Sequence, residues 1–227
     1  MIQRSTDKIL TTHTGSLPRP ADLIELIRAR EAGEPSDDAA FQARVRSAVA
    51  ETVQRQIDCG IDLVSDGEEG KPGYATYIKD RLTGFTGSRR MPIRQQGEAR
   101  DFPEYTERRM ATLANILARP TCDGPIAWRD FAAVERDVDN LQAAVNTLKP
   151  RGAFMTAASP GVVAFFLGND YYKSEDDYLE ALCAVMKDEY EAIANAGFEL
   201  QLDCPDLAMG RQSQYFDLSL TDFRSVV

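Results

Sequence analysis

The stretch Gly197-Phe198-Glu199-Leu200-Gln201-Leu202-Asp203-Cys204-Pro205-Asp206-Leu207-Ala208-Met209 decides the fold. Gly197 stops a helix, Glu199 to Leu202 predicts a short buried strand, and Pro205 turns the chain. Asp203 then stands at the carboxyl end of that strand. A carboxylate there is how α/β proteins present charge to a ligand, and it is equally how an Asp closes its own turn. An earlier stretch, Gly60 to Asp66, repeats the template: Gly, an apolar residue, an acid, Leu, two more residues, then Asp six positions after the Gly. Both copies follow a long amphipathic helix.

Working outward, the same alternation of strand and helix recurs. Lys8 to Thr12 is β-prone, and the loop His13 to Pro20 leads into a helix over Ala21 to Arg30. Ser36 or Asp37 caps a helix whose apolar stripe is Phe41, Val45, Val49, Val53 and Ile57. Ile61 to Ser65 predicts a buried strand, followed by the loop Asp66 to Gly70. Residues 84–127 read as an irregular insertion with a helical patch over Tyr105 to Leu117, and Ile126 to Trp128 as a short strand. Phe131 to Leu148 is a helix, Ala153 to Ala157 a strand, and Ser159 to Gly161 a loop. Ser174 and Asp177 form a capping box for a helix carrying Tyr178, Leu182, Val185, Met186, Tyr190 and Ile193 inward. Leu218 and Ser219 begin a last helix.

Alternating strands and helices with short connections mean an α/β fold with a parallel sheet and right-handed crossovers. The repeat favours a (β/α)8 barrel of the TIM type over an open doubly wound sheet. Four strand-plus-helix units are recognisable, whereas a closed barrel needs eight and about 250 residues. The expectation is therefore a single region, residues 1–227, forming the first four units of an incomplete barrel within a longer protein. Its open strand edges would invite self-association.

Composition narrows the function. A net charge of −10 and a pI near 4.7 leave no basic stripe for nucleic acid. No apolar run reaches the ~18–20 residues of a membrane helix, and Met1 to Lys8 has no signal-peptide core, so a cytoplasmic location is expected. Cys59, Cys122, Cys183 and Cys204 are widely spaced, as free thiols in a reducing compartment would be. His13 is the only histidine, which rules out a multi-histidine metal site within the chain.

The candidate residues lie in four strand-end loops: His13 to Ser16, Asp66 to Glu69, Ser159 to Gly161 and Asp203 to Asp206. Gly15 and Ser16 offer donors to a carboxylate, while Glu68 and Asp203 can pair with an ammonium, which together suit a small amino-acid ligand. The same residues also serve plainer ends: Gly15-Ser16 as a turn before a helix, Asp66-Gly67 as a turn, and Cys204 as a small apolar filler. No dinucleotide, P-loop, zincin or nucleophile-elbow motif is present.

Three motifs carry a resemblance. Thr11 to Arg19 (Thr-Thr-His-Thr-Gly-Ser-Leu-Pro-Arg), Ser65-Asp66-Gly67-Glu68, and Gln201 to Ala208 (Gln-Leu-Asp-Cys-Pro-Asp-Leu-Ala) resemble cobalamin-independent methionine synthase, and more closely its short single-barrel relatives. The likeness runs in order over essentially the whole chain. It implies a zinc-binding TIM-like barrel that moves a methyl group from a methylated folate to a thiol such as homocysteine. It also implies that Gly15 and Ser16 hold the amino acid's carboxylate and that Glu68 and Asp203 hold its amine; read from the loops alone, His13 is a candidate ligand or general base, or a residue bonded within its loop, and Asp66 a further candidate. The family's zinc ligands, a His-x-Cys motif, a Glu and a later Cys, lie in the second half of the barrel, so no metal ligand is assigned here. Cys204 stands where the long enzyme usually has Glu. The Trp that stacks the folate ring in the long enzyme is replaced by Phe165 and Phe166, the only Trp being Trp128, and the acid that reads the pterin falls at Met209. The resemblance implies a methyltransferase in the complete protein and an inactive, zinc-free chain when these residues stand alone. Alternatives are a thiol/epoxide alkyltransferase or decarboxylase-like enzyme of the same superfamily, and a non-catalytic truncated binding protein.

Overall fold

The computed structural model describes residues 5–90, 96–113, 118–213 and 215–226. They divide into two compact units. The first comprises Met1–Tyr77, Asp130–Ala157 and Lys187–Leu202, and the second Ile78–Arg129, Ala158–Met186 and Asp203–Val227. The fold is mixed α/β with two small sheets, one in each unit.

The first sheet contains β1 (Leu63–Val64), and the second begins with β2 (Gly87–Arg90) and β3 (Ala118–Cys122). β4 (Gly152–Ala158) lies beside β1, β5 (Gly168–Asn169) beside β3, and β6 (Glu199–Asp203) beside β4. β1 and β4 run parallel, with Leu63 opposite Gly152, and Thr12 bridges to Leu63 in parallel on the other side. Thr12, β1, β4 and β6 are thus in chain order across the sheet.

The repeated template has a physical basis in its helix ends. Helix Asp38–Asp58 ends with Gly60 at φ 79, and helix Glu175–Asn195 ends with Gly197 at φ 88. In both, the residue after the glycine donates its N–H five residues back (Ile61 to Gln56 at 3.0 Å, Phe198 to Ile193 at 3.4 Å). Each glycine donates three back, to Ile57 and to Ala194. These are two Schellman caps, in which the left-handed glycine turns the chain off the helix and into the sheet. The acid two residues past the first glycine, Asp62, anchors the N-terminal segment. Its carboxylate accepts the Thr11 N–H at 3.0 Å and pairs with Lys8 at 2.5 Å, and these partners pull its pKa down to about 2.

The core of the first unit joins Phe41, Val45, Val49 and Val53 of the first long helix to Leu141 and Ala144 of helix Ala132–Leu148, with Val64, Met155 and Ile193. Apart from Ala144, each of these side chains contributes about 1.5–3 kcal/mol through burial. As expected, Asp37 caps the first long helix by accepting the Ala40 N–H at 3.1 Å.

Several sequence expectations are corrected. Lys8 to Thr12 forms only the single bridge at Thr12, and Ile126 to Trp128 only a bridge from Trp128 to Leu82. β6 is half-buried rather than buried, with Leu202 41 % exposed, because it lies at the sheet's edge. The insertion is not irregular throughout. β2 and β3 pair antiparallel, Gly87 opposite Thr121, and helices Gln96–Asp101 and Pro103–Leu113 lie between them in sequence. The last part of the expected helical patch, residues 114–117, falls outside the described residues. In the second unit Tyr178 donates its hydroxyl to the Leu167 carbonyl at 2.8 Å, and Trp128 its indole N–H to the Val185 carbonyl at 3.2 Å. The last helix, Leu220–Val226, is capped by Ser219, which accepts the Asp222 N–H at 3.1 Å.

Candidate functional site

The loop after β1 gathers most of the buried charge in the first unit. Asp66, Glu68, Glu69 and Lys71 are each at most 3 % exposed. The preceding helix fixes this loop with two polar side chains on its otherwise apolar face. Gln56 accepts the Ser65 N–H at 3.0 Å and donates to the Ser65 carbonyl at 2.8 Å, holding the end of the strand. Thr52 donates to Glu69 Oε1 at 2.7 Å.

Gly67 makes the turn at φ 64, and a Cβ there would lie 2.7 Å from Thr52 Cγ2 and 3.1 Å from Leu17 Cβ. Its carbonyl accepts the Leu17 N–H at 3.0 Å, which joins the 13–20 loop to this one. Glu68 follows in the left-handed region at φ 58, a conformation that costs a non-glycine residue about 1–2 kcal/mol and recurs at functional sites. Asp66 Oδ1 accepts the Glu68 N–H at 3.1 Å, which holds the turn.

The Glu68 carboxylate is placed by residues distant in sequence. Ser16 donates its hydroxyl to Oε2, and Thr156, in the middle of β4, donates to Oε1 at 2.8 Å. Arg19 donates to the backbone carbonyls of Glu68 at 2.7 Å and Lys71 at 2.6 Å. Lys71 Nζ donates to the Thr156 carbonyl at 2.8 Å and sits 4.6 Å from the centre of the Tyr77 ring. The Tyr77 hydroxyl in turn lies 2.9 Å from both carboxylate oxygens of Glu189.

Burial shifts the neighbouring acids. Desolvation pushes the Asp66 carboxyl up to about 6, with the like charges of Asp137 and Glu68 adding to the rise and Lys71 opposing it. Desolvation also pushes Glu69 up to about 7, against the Thr52 hydrogen bond and the Arg19 charge. Glu69 Oε2 has no hydrogen-bond partner among the described residues.

Of the sequence candidates, Ser16, Asp66 and Glu68 meet in this network. Gly15, at φ 77, is half-buried one residue before Ser16, and His13 is exposed in the same loop. Asp203, Phe165 and Phe166 lie in the second unit, with other neighbours. There the Asp203 carbonyl accepts the Ser159 N–H at 3.1 Å. The Ser159 hydroxyl caps helix Pro160–Phe166 through the Val162 N–H at 3.0 Å and donates to Asp206 at 2.9 Å. Phe165 is buried and packs edge-on against half-buried Phe166, with ring centres 5.2 Å apart. Among the described residues no three His, Cys, Asp or Glu side chains converge to hold a metal ion, so the residues at hand do not fit a zinc site. No described helix is long and apolar enough to cross a membrane.

Sequence reasoning passed over Lys71, Thr156, Tyr77 and Glu189. Two of them left a signal. Thr156 is a lone polar residue within the apolar strand Ala153 to Ala157. Glu189 falls on the buried helical stripe Leu182, Met186, Ile193.

No family model matches the chain. Curated relatives do. A methionine synthase of Sulfolobus acidocaldarius is 25% identical over 196 residues, covering 86% of this chain and 51% of that protein. A methionine synthase of Saccharolobus islandicus strain L.S.2.15 is 27% identical over 205 residues, covering 89% and 54%. The chain therefore spans about half the length of the curated relatives it matches. In fold it is similar to a B12-independent methionine synthase from Shewanella sp. W3-18-1 solved with selenomethionine, with TM-score 0.65, 22% identity, and coverage of 87% of this chain and 52% of that one. The resemblance to cobalamin-independent methionine synthases carried by the three motifs holds in these comparisons.

Proposed function

We propose that this chain supplies the amino-acid-holding part of a methionine-synthase-like methyltransferase built on a TIM-type barrel, of which these residues form the first portion. The observation that carries the reading is the Glu68 carboxylate, buried at a strand end and oriented by Ser16 and Thr156. A desolvated carboxylate held by two hydroxyl donors keeps its charge in a fixed place, which suits an incoming ammonium. The Shewanella protein's selenomethionine, an amino acid with both an ammonium and a carboxylate, is the kind of ligand such a place would take.

In the whole protein the thiol sulfur of homocysteine would give up its proton and take the methyl group of a methylated folate, whose N–CH3 bond breaks and whose nitrogen leaves carrying a proton; zinc, when bound, would supply the lowering of the thiol's proton affinity. The zinc ligands and the methyl donor's contacts are assigned to residues outside this chain. The chain alone is accordingly inactive and holds no stoichiometric zinc, and elemental analysis finding one tightly held zinc per chain would overturn that. The resemblance implies an ammonium contact for Asp203 as well, to be tested by its own variant. We place the protein in the cytoplasm, and the half-buried β6 with exposed Leu202 as the edge through which copies could associate.

Calorimetric titration tests the ligand reading. L-methionine should bind the chain at least about tenfold more tightly than 4-(methylsulfanyl)butanoate, the same molecule without its ammonium, because a charge-assisted contact contributes about 1.5–3 kcal/mol. Equal affinities would refute it.

A further inference from the structure

Lys71 is 2 % exposed, yet among the described residues it forms no ion pair. Its ammonium is held by one carbonyl, that of Thr156, and by the face of Tyr77. A buried ammonium normally takes a carboxylate partner, since burying an unpaired charge is expensive. Carboxylates are close at hand: Asp66, Glu68 and Glu69 occupy three of the five positions before it, and Glu189 bonds the hydroxyl of the ring it sits on. The positive charge of Lys71 bears on Asp66, whose carboxyl pKa it lowers, without capping any one carboxylate. The like charges of Asp137 and Glu68 disfavour ionised Asp66, and that of Asp66 disfavours ionised Glu69.

The arrangement has a consequence for Glu68. Both its oxygens accept hydroxyl donors, from Ser16 and Thr156, and neither is taken by a fixed cation. Thr156 links the two: its hydroxyl serves Glu68 and its carbonyl receives Lys71. Building on the reading of Glu68 as an ammonium ligand, we propose that Lys71 is a positioning residue of this site. It is an internal counter-charge that favours the anionic form of Asp66, the acceptor of the Glu68 N–H, while leaving Glu68 open to the ammonium of an α-amino acid.

The charged groups bearing on this loop are Lys71, Asp137, Glu68 and Glu69 around Asp66, and Arg19 and Arg44 toward Glu69. Asp66 is the group that reports the change, because it already titrates near 6 and Lys71 is the cation that lowers it. Removing the positive charge raises it further, and protonated Asp66 no longer offers an anionic acceptor to the Glu68 N–H.

The test uses the full chain and two probes, L-methionine and 4-(methylsulfanyl)butanoate, titrated by calorimetry from pH 5 to 8.5. In the unaltered chain the preference for L-methionine should fade as the pH drops through about 6. In Lys71→Gln, which keeps a shorter donor side chain and removes the charge, the midpoint should rise by about one pH unit, so that the preference falls about twofold at pH 7 and approaches a tenfold loss by pH 5. A folded Lys71→Gln with the same midpoint and the same preference overturns the role of Lys71 and leaves the reading of Glu68 standing. An unaltered chain that binds both probes equally at pH 8 overturns the reading of Glu68 itself, and the role of Lys71 with it. Should Lys71→Gln fail to fold, Lys71→Met carries the same two outcomes.

Discussion

The two strand-end loops that share one template, Gly60 to Asp66 and Gly197 to Asp203, diverge at their last residue. Asp66 is 3 % exposed, its carboxylate holds a left-handed Glu68, and its pKa is raised to about 6. Asp203 is half-buried, and its backbone carbonyl receives the N–H of Ser159. The shared part of the template is a helix cap and an entry into a sheet, so it specifies backbone. The chemistry comes from the residues just past the template: Gly-Glu-Glu-Gly-Lys in one loop, Cys-Pro-Asp in the other. A repeat in sequence is thus evidence for equivalent architecture, and each loop's function has to be argued from its own residues.

The glycines separate the two regions most strongly. Gly67→Ala places a Cβ against Thr52 and Leu17 in a left-handed turn, and should cost about 4 kcal/mol in urea unfolding. Gly197→Ala has the same backbone sign with nothing within 4 Å, and should cost only about 1 kcal/mol. Equal losses would mean that backbone sign alone governs both positions. Thr156→Val removes the hydroxyl donor to a buried carboxylate while keeping the carbonyl that Lys71 uses. A loss of about 2 kcal/mol is expected, and a neutral result would remove Thr156 from the network.

The smallest effect concerns pH. The Asp66 and Glu69 carboxyls hold protons more tightly in the folded chain than their ordinary values of 3.8 and 4.5 allow when unfolded. Their protonation therefore favours the folded state. That contribution is present at pH 5 and is lost as the pH rises through about 6 and 7. Going from pH 8 to pH 5, the unaltered chain should gain about 1 kcal/mol more than Asp66→Asn does, measured by urea unfolding at both pH values. Identical gains would show that Asp66 titrates normally. Asp62 has the opposite sign: its lowered pKa adds stability above pH 4 that is lost as the pH falls toward about 2.

Much of this was legible in the sequence where local rules govern. Gly60 and Gly197 announce their caps, Asp37 its helix, and the apolar stripe of Phe41 to Val53 its buried face. Glu68 was legible through its place after a strand and through the three motifs. The rest depends on contacts between distant residues. Nothing local says that Ser16 meets Glu68 across 52 positions, or that Lys71 meets Thr156 across 85. The sheet of β2, β3 and β5 was missed because two of its strands lie in an Arg- and Gly-rich segment and the third is two residues long, too short to show a period of two. The exposure of Leu202 was missed because an edge strand and a central strand carry the same residues when only one face is covered.

The most direct measurement is the affinity for L-methionine of Glu68→Gln against the unaltered chain, at pH 8, above the titration of Asp66 and Glu69. Glutamine keeps an oxygen for Thr156, loses the charge and turns the oxygen facing Ser16 into an NH2 donor, to which the Ser16 hydroxyl can turn as acceptor. The loop after β1 as the ammonium site predicts affinity at least about tenfold weaker in a variant that still unfolds cooperatively. Unchanged affinity in that variant would contradict it.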